Sequence, residues 1–368
     1  MRKLVFSAIC VLALGAASAA AQLNPQSRGT LNIYNWNDYI DETTIAAFEK
    51  ESGIKVRYDV YDANEVLDAK LRAGRSGYDL VVPTASPFLA QQIPAKLYRP
   101  VERDRLTNYK NLDPALMQQL AKYDPENRHA IPWMWGTTGI GYNTRTLMRV
   151  MPDAPVYSLK VLFDPAIVQR FKSCGVVVLD SATDVIPAAL AYLGRNPDSH
   201  SIEDLEAAAK VLQAIRPFVR KWHSSEYIND LANGDACLAF GYSGDIKQAG
   251  KRAAEAKKNF TVEYAIPQEG ALVWIDTWAI PADSRNADAA HRFLDFVLRP
   301  DVVAKNSNFI GYANAVPASL PLLDAEVRGD PTIYPPDELR QRFYTITAPQ
   351  RAYERQRTRA WTRITTGR

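Results

Sequence analysis

The sequence predicts an α/β fold in which open, mostly parallel sheets are covered by helices. Three observations carry that prediction. Short apolar runs that read as strands alternate with helical segments from Leu31 onward. The first three runs follow a βαβαβ order, the grammar of a doubly wound layer. The same alternation resumes after Gly175, so the chain holds two such layers. Its 368 residues suffice for about two domains. The apolar content of 47% is that of a globular chain. With no internal repeat and no long flexible linker, the two parts must be joined by short crossings.

Met1-Arg-Lys, the apolar run Leu4 to Leu14 and the small residues Gly15 to Gln22 make the three-part pattern of a signal peptide, residues 1–22. The run is too short for a permanent membrane anchor. Cys10 lies inside it, away from the cleavage site, which argues against a lipid-modified N-terminus. The mature chain is therefore expected to be exported and soluble. Losing Arg2 and Lys3 lowers the formal charge from +3 to +1, so there is no overall steering toward nucleic acid or anionic lipid. Two cysteines remain, Cys174 before one apolar strand and Cys237 at the start of another. Export favours a disulfide, and strands about 4.8 Å apart are compatible with one, with free thiols as the alternative.

The opening strand, Leu31-Asn-Ile-Tyr-Asn-Trp-Asn-Asp-Tyr39, stops in Trp36, Asp38 and Tyr39. Open α/β sheets bind ligands at the carboxyl ends of their strands. An aromatic face beside a carboxylate there suits a cation; the plainer reading is a turn with a buried Trp and a helix-capping Asp. Asp41 opens a helix that buries Ile45 and Phe48 and ends at Gly53. A strand from Lys55 to Val60 and a helix from Asn64 to Ala73 follow. Tyr78 to Val82 is a third strand, running into Pro83-Thr84-Ala85-Ser86 on the same rim as Trp36. Taken alone, Thr84 and Ser86 read as turn and cap residues ahead of ligand contacts.

Ala130 to Asn143 reads as a crossing between the two parts, with Trp133 and Trp135 as interface core. Gly139-Ile-Gly141 does not complete a nucleotide fingerprint. Gly175 to Asp180 is a strand followed by Ser181-Ala-Thr-Asp184. Ser201-Ile-Glu-Asp204 is a capping box opening a helix with Leu205, Ala208, Leu212 and Ile215 on one face. Ala236 to Phe240 runs into Gly241-Tyr-Ser-Gly-Asp245, and Ala271 to Trp278 contains Trp274 and Asp276. These are a second and a third strand end that pair an aromatic with Asp. A helix buries Phe293, Phe296 and Val297 and stops at Pro300, and Tyr312 follows in a loop. The basic run Arg351, Arg355, Arg357, Arg359 and Arg363 reads as the solvated face of a last helix that buries Tyr353 and Trp361.

Much chemistry is excluded. His129, His200, His223 and His291 are scattered without metal-ligand spacing. There is no P-loop and no Cys-x-x-Cys, and Gly241-Tyr-Ser-Gly-Asp245 lacks the second Gly of a nucleophile elbow in register. Paired carboxylates could do acid–base work, which keeps an exported hydrolase as the rival class. Here each carboxylate comes with aromatics instead of a water-activating partner. The chain is expected to be no enzyme, to need no cofactor or metal, to meet no nucleic acid and to act as a monomer.

The stretches Tyr34-Asn-Trp-Asn-Asp-Tyr39, Gly53-Ile-Lys-Val, Tyr78-Asp-Leu-Val-Val-Pro83 and Trp135-Gly-Thr-Thr-Gly-Ile-Gly-Tyr-Asn143 resemble those of periplasmic polyamine-binding proteins. So do Tyr227-Ile-Asn-Asp-Leu-Ala-Asn-Gly-Asp235 and Arg299-Pro-Asp-Val-Val303, and the resemblance is greatest to the putrescine-binding type. It implies the two-lobed type II periplasmic binding protein fold, with a cleft that closes over a polyamine delivered to the permease of an ABC importer. The lobes would be 23–137 with 276–318, and 138–275 with 319–368. The resemblance also implies a Cys174–Cys237 bridge. Carried over by position, an aromatic box falls on Trp36, Tyr242, Trp274 and Tyr312, with Tyr39 near it. Amine acceptors fall on Asp38, Asp245 and Asp276, a more remote carboxylate on Asp184, and polar helpers on Asn37, Thr84 and Ser224. The putrescine type usually has Trp at Tyr242, Glu at Asp184, Ser at Asn37 and at Thr84, and Phe at Trp274. Trp at 274 is nearer the spermidine-binding relatives, so ligand length stays open between putrescine and spermidine.

Overall fold

The computed structural model describes residues 29–367; the predicted signal peptide lies outside the described residues. Eleven strands occur among them: β1 (Thr30–Trp36), β2 (Lys55–Tyr61), β3 (Leu80–Val81), β4 (Ala130–Asn143), β5 (Val176–Val178), β6 (Lys221–Trp222), β7 (Leu238–Tyr242), β8 (Val262–Ala265), β9 (Ala271–Ala279), β10 (Ala313–Asn314) and β11 (Phe343–Tyr344). Their main order is β2-β1-β3-β9-β4-β7-β5-β6. At one end β1 is parallel to β2 and β3. At the other end β5 is parallel to β6 and β7. The antiparallel pair β4 and β9 joins the two halves.

Two separate cores follow from this order. One gathers Leu31, Ile33, Phe48, Leu80, Trp133, Trp278 and Phe293. The other gathers Ile140, Val176, Val177, Val178, Leu212, Phe240 and Ile246. Strand β4 passes through both, contributing Ile131 and Met134 to the first and Ile140 to the second. Strand β9 does the same, with Ala271 in the second core and Ile275 and Trp278 in the first. The crossing read from Ala130–Asn143 is thus one long strand, and Trp133 is buried in it.

Local signals explain most element ends. The Asp41 side chain accepts from Thr43 N at the start of the Glu42–Ser52 helix, and Gly53 ends it at φ 70°. Cys174 and Cys237 are bridged, with Cα atoms 5.6 Å apart, just ahead of the paired strands β5 and β7.

Three expectations need correction. The third strand shrinks to two residues because Asp79 turns inward, where its carboxylate accepts from Asn32 N, Ser284 Oγ and Asn286 N. The Ala287–Val297 helix does stop ahead of Pro300, and Pro300 itself opens the next helix, Pro300–Ile310, at its first position, where a missing N–H costs nothing. The capping box forms only by half: Ser201 Oγ accepts from Asp204 N, but the Asp204 carboxylate goes to Arg195 and Ser199. In the last helix, Arg351–Thr366, Arg357 is buried with Tyr353, Ala360 and Ile364 and pairs with Glu354 at 2.7 Å, so the basic run is not uniformly solvated. Trp361 is half-buried and donates its Nε1 proton to Asp180 at 2.8 Å.

Candidate ligand-binding site

A cavity lies between the two cores, where the parallel strands end. From the first half, β1 delivers Trp36, the turn after it delivers Asn37 and Tyr39, and the turn after β3 delivers Thr84. From the second, the first turn of the Ala182–Tyr192 helix delivers Asp184 and β7 delivers Tyr242, with Asp245 in the first turn of the Ser243–Glu255 helix. The crossing strand β9 supplies Trp274 and Asp276, two residues apart and therefore on one face. Tyr312 enters just after the Pro300–Ile310 helix, and Ser224 lies two residues after β6. No Lys, Arg or His lines the cavity among the described residues.

The aromatic rings form a wall. Trp274 meets Tyr242 edge to face at 5.8 Å and Tyr312 at 5.3 Å, and Tyr312 meets Tyr39 at 5.3 Å. Trp36 is fixed by its Nε1 proton, donated to Val82 O at 2.9 Å, and tilts against Tyr61 at 4.8 Å. The packing is close enough to dictate glycine at 244, where a Cβ would lie 2.5 Å from the Tyr312 ring.

Three carboxylates face this wall, and each has hydrogen-bond donors holding it. Asp276 accepts from Thr84 Oγ1 at 2.6 Å, and that hydroxyl in turn accepts from Asn64 Nδ2 at 2.9 Å. Asp245 accepts from Tyr227 and Tyr312, each at 2.6 Å. Asp184 accepts from Ser181 Oγ at 2.6 Å, Thr138 Oγ1 at 2.9 Å and Tyr242 at 3.3 Å. Burial nevertheless wins: it pushes the Asp276 carboxyl up to about 7 and Asp245 up to about 6, and raises Asp184 as well. Mutual repulsion adds to the shift at Asp276, where Asp184 and Asp245 both act. The Tyr39 hydroxyl faces Asp276 and opposes that shift without making a well-aligned hydrogen bond to it. Tyr39 Oη and Ser224 Oγ are buried without a protein partner.

Eleven of the twelve residues expected at the site line this one cavity. Asp38 does not. Its backbone turns left-handed at φ 53°, and its carboxylate is held by Arg252 at 2.8 Å and by Asn37 Nδ2 at 2.8 Å. The sequence reading missed Tyr61, Asp62, Phe88, Leu272 and Ile346. Tyr61-Asp62 had a legible signal, since it closes β2 with the same aromatic-plus-Asp pairing as the other strand ends. Phe88 and Ile346 carry none, being apolar residues in irregular segments.

Chemically, the cavity offers apolar faces, three buried carboxyl groups and, among the described residues, no fixed cation. That arrangement suits an elongated guest with ammonium ends. A family model described as bacterial extracellular solute-binding protein matches residues 43–335. The putrescine-binding periplasmic protein PotF of Escherichia coli K12 is 47% identical over 367 residues, 99% of this chain and 97% of that one. The corresponding SpuD of Pseudomonas aeruginosa UCBPP-PA14 is 47% identical over 354 residues, 96% of each chain. A solved structure titled as a putative spermidine/putrescine ABC transporter from Listeria monocytogenes superposes with a TM-score of 0.82 at 30% identity, covering 92% of this chain and 99% of that one. With its two-lobed α/β architecture and a family match spanning most of its length, this chain belongs to the bacterial extracellular solute-binding proteins.

Proposed function

We propose that the chain is an exported, non-enzymatic receptor that captures putrescine-like polyamines in the cleft and delivers them to the permease of an ABC importer in the bacterial periplasm. One observation carries this reading: Asp184, Asp245 and Asp276 share a cavity walled by Tyr242, Trp274 and Tyr312 and lined by no cation among the described residues. An unpaired buried carboxylate costs several kcal/mol, so a guest that brings two ammonium groups relieves what the protein alone leaves unbalanced. An amino-acid receptor would need an Arg for the α-carboxylate. A sugar receptor would not need three acids around one guest. The names of the relatives, putrescine-binding and periplasmic, support the same class.

In this reading Asp276 takes one ammonium, Asp245 the other, and Asp184 acts at longer range. Trp36, Tyr242, Trp274 and Tyr312 cover the methylenes, and Asn37, Tyr39, Thr84 and Ser224 supply neutral polar contacts. Asp38 acts by holding the lobes together instead of touching the guest. The lobes, 23–137 with 276–318 and 138–275 with 319–368, turn about β4 and β9. Calorimetric titration with putrescine, cadaverine, agmatine, spermidine and spermine, with γ-aminobutyrate as control, tests this. Saturable binding of a diamine and none of the amino acid supports it; the reverse order refutes it.

A further inference from the structure

The Asp245 carboxylate owes its setting to a residue that never reaches the cavity. Tyr227 begins the Tyr227–Asn233 helix, is fully buried and does not line the cavity. Its hydroxyl stands between two residues that do. It accepts from Tyr242 N at 3.0 Å and donates to Asp245 Oδ2 at 2.6 Å. A backbone N–H can only donate, so the hydroxyl proton is left for the carboxylate. Burial, and then the charge of Asp245, push the Tyr227 phenol well above its usual range, which keeps that proton in place. Gly241 makes the approach possible, since a Cβ there would lie 2.5 Å from the Tyr227 ring.

The other groups around Asp245 do not replace this bond. Tyr312, from the first core, donates to the second oxygen, Oδ1, at 2.6 Å. Asp38 and Arg252 act on Asp245 in opposite senses and are paired with each other at 2.8 Å. Asp276 and Asp245 repel one another. Tyr39 and Tyr242 lie near enough to feel the Asp245 charge, but the Tyr242 hydroxyl goes to Asp184. Burial lifts both inner acids, to about 7 at Asp276 and to about 6 at Asp245, where two phenol protons oppose it.

We propose that Tyr227 is a positioning residue of the site: its hydroxyl ties the Tyr242 backbone to the Asp245 carboxylate, aims that carboxylate at one ammonium of the guest and keeps a proton donor on it. The proposal rests on the polyamine reading of the cavity. Tyr227 touches no guest, so its effect passes through Asp245. Without the hydroxyl the ionised form of Asp245 loses a donor, and its carboxyl titrates at higher pH. Binding an ammonium needs the carboxylate. The ratio of parent to variant affinity is therefore smallest near pH 8, where both proteins are ionised at 245. It is largest near pH 5, where the parent keeps the greater ionised fraction.

The test is titration of the parent and Tyr227→Phe with putrescine at pH 8 and at pH 5, with melting of each unliganded protein to verify its fold. Asp184 and Asp276 titrate in both proteins and cancel in the ratio. The expected result is a parent-to-variant ratio that grows about five- to tenfold from pH 8 to pH 5, the worth of one hydrogen bond to a charged group. Should Tyr227→Phe melt too low to titrate, Gly241→Ala, which displaces the same ring, is read in its place. A ratio that is unchanged or falls between pH 8 and pH 5 gives Tyr227 a purely structural part and overturns the proposal. A parent that binds putrescine at neither pH overturns the polyamine reading instead.

Discussion

Arg252 holds its Nη2 2.8 Å from the Asp38 carboxylate, although the two residues hang on different cores. Asp38 follows β1, whose Leu31 and Ile33 belong to the first core. Arg252 rides the Ser243–Glu255 helix, whose Ile246, Ala249 and Ala253 belong to the second. Gln248 Nε2 adds a contact to the Asp38 carbonyl at 3.3 Å. This contact clasps the cleft from outside the cavity. Both side chains are 33% exposed, so the ion pair is screened by water and is worth about 0.2–1 kcal/mol. Arg252→Ala should therefore weaken putrescine binding by about two- to fivefold, mainly through faster release. Stopped-flow dissociation measures this; an unchanged release rate means the clasp does not hold the closed state.

Closure itself should be visible. Asp245 sits on a helix of the second half and Asp276 on the crossing strand β9, while Trp36 and Thr84 come from the first half, so neither half encloses a guest alone. Small-angle scattering should show a smaller radius of gyration with saturating putrescine than without. Identical profiles count against a cleft that closes.

The Cys174–Cys237 bridge closes a loop of 63 residues. On the chain-entropy model such a loop contributes about 4 kcal/mol to stability. Protein exported into an oxidising compartment should show no alkylatable thiol without reductant, and its denaturation midpoint should fall when the bridge is reduced. Two reactive thiols in the native protein would contradict the bridge.

Raised carboxyl pKa values make binding and stability run in opposite directions with pH. Asp276 stands at about 7 and Asp245 at about 6 in the folded protein, above the unfolded value of about 3.9. The folded chain thus holds more protons than the unfolded chain between those values. The stability these two groups contribute is fully present below about pH 4 and is lost as pH rises through about 6 to 7. An ammonium guest favours the ionised carboxylates, so binding expels protons and strengthens over the same interval. The rise in melting temperature caused by putrescine should therefore be larger at pH 8 than at pH 5. An equal rise at both would show that these acids do not meet the guest.

How much of this was legible beforehand follows from which signals are local. Strand-end pairs such as Trp274 with Asp276 could be read because a strand's period of two puts both side chains on one face. The loop containing Tyr312 needed the family resemblance, since no periodicity marks it. Asp38 escaped correct placement because its left-handed backbone, at φ 53°, redirects a side chain that its neighbours in sequence place at the rim. The run of charges around Arg357 reads as a solvated face, but helical spacing puts Arg357 with Tyr353, Ala360 and Ile364 on the inner face. Ile346 reaches the cavity only because β11 lies beside β9, a pairing between distant segments that nothing near Ile346 announces.

The most direct test replaces one buried acid without changing its shape. Asp276→Asn keeps a polar group beside Thr84 but removes the charge that meets an enclosed ammonium. Calorimetric titration with putrescine and with spermidine should show binding weaker by about 2–5 kcal/mol, while the unliganded variant melts no lower than the parent. A variant that binds both amines as tightly as the parent does would contradict the assignment of the cavity as a polyamine site.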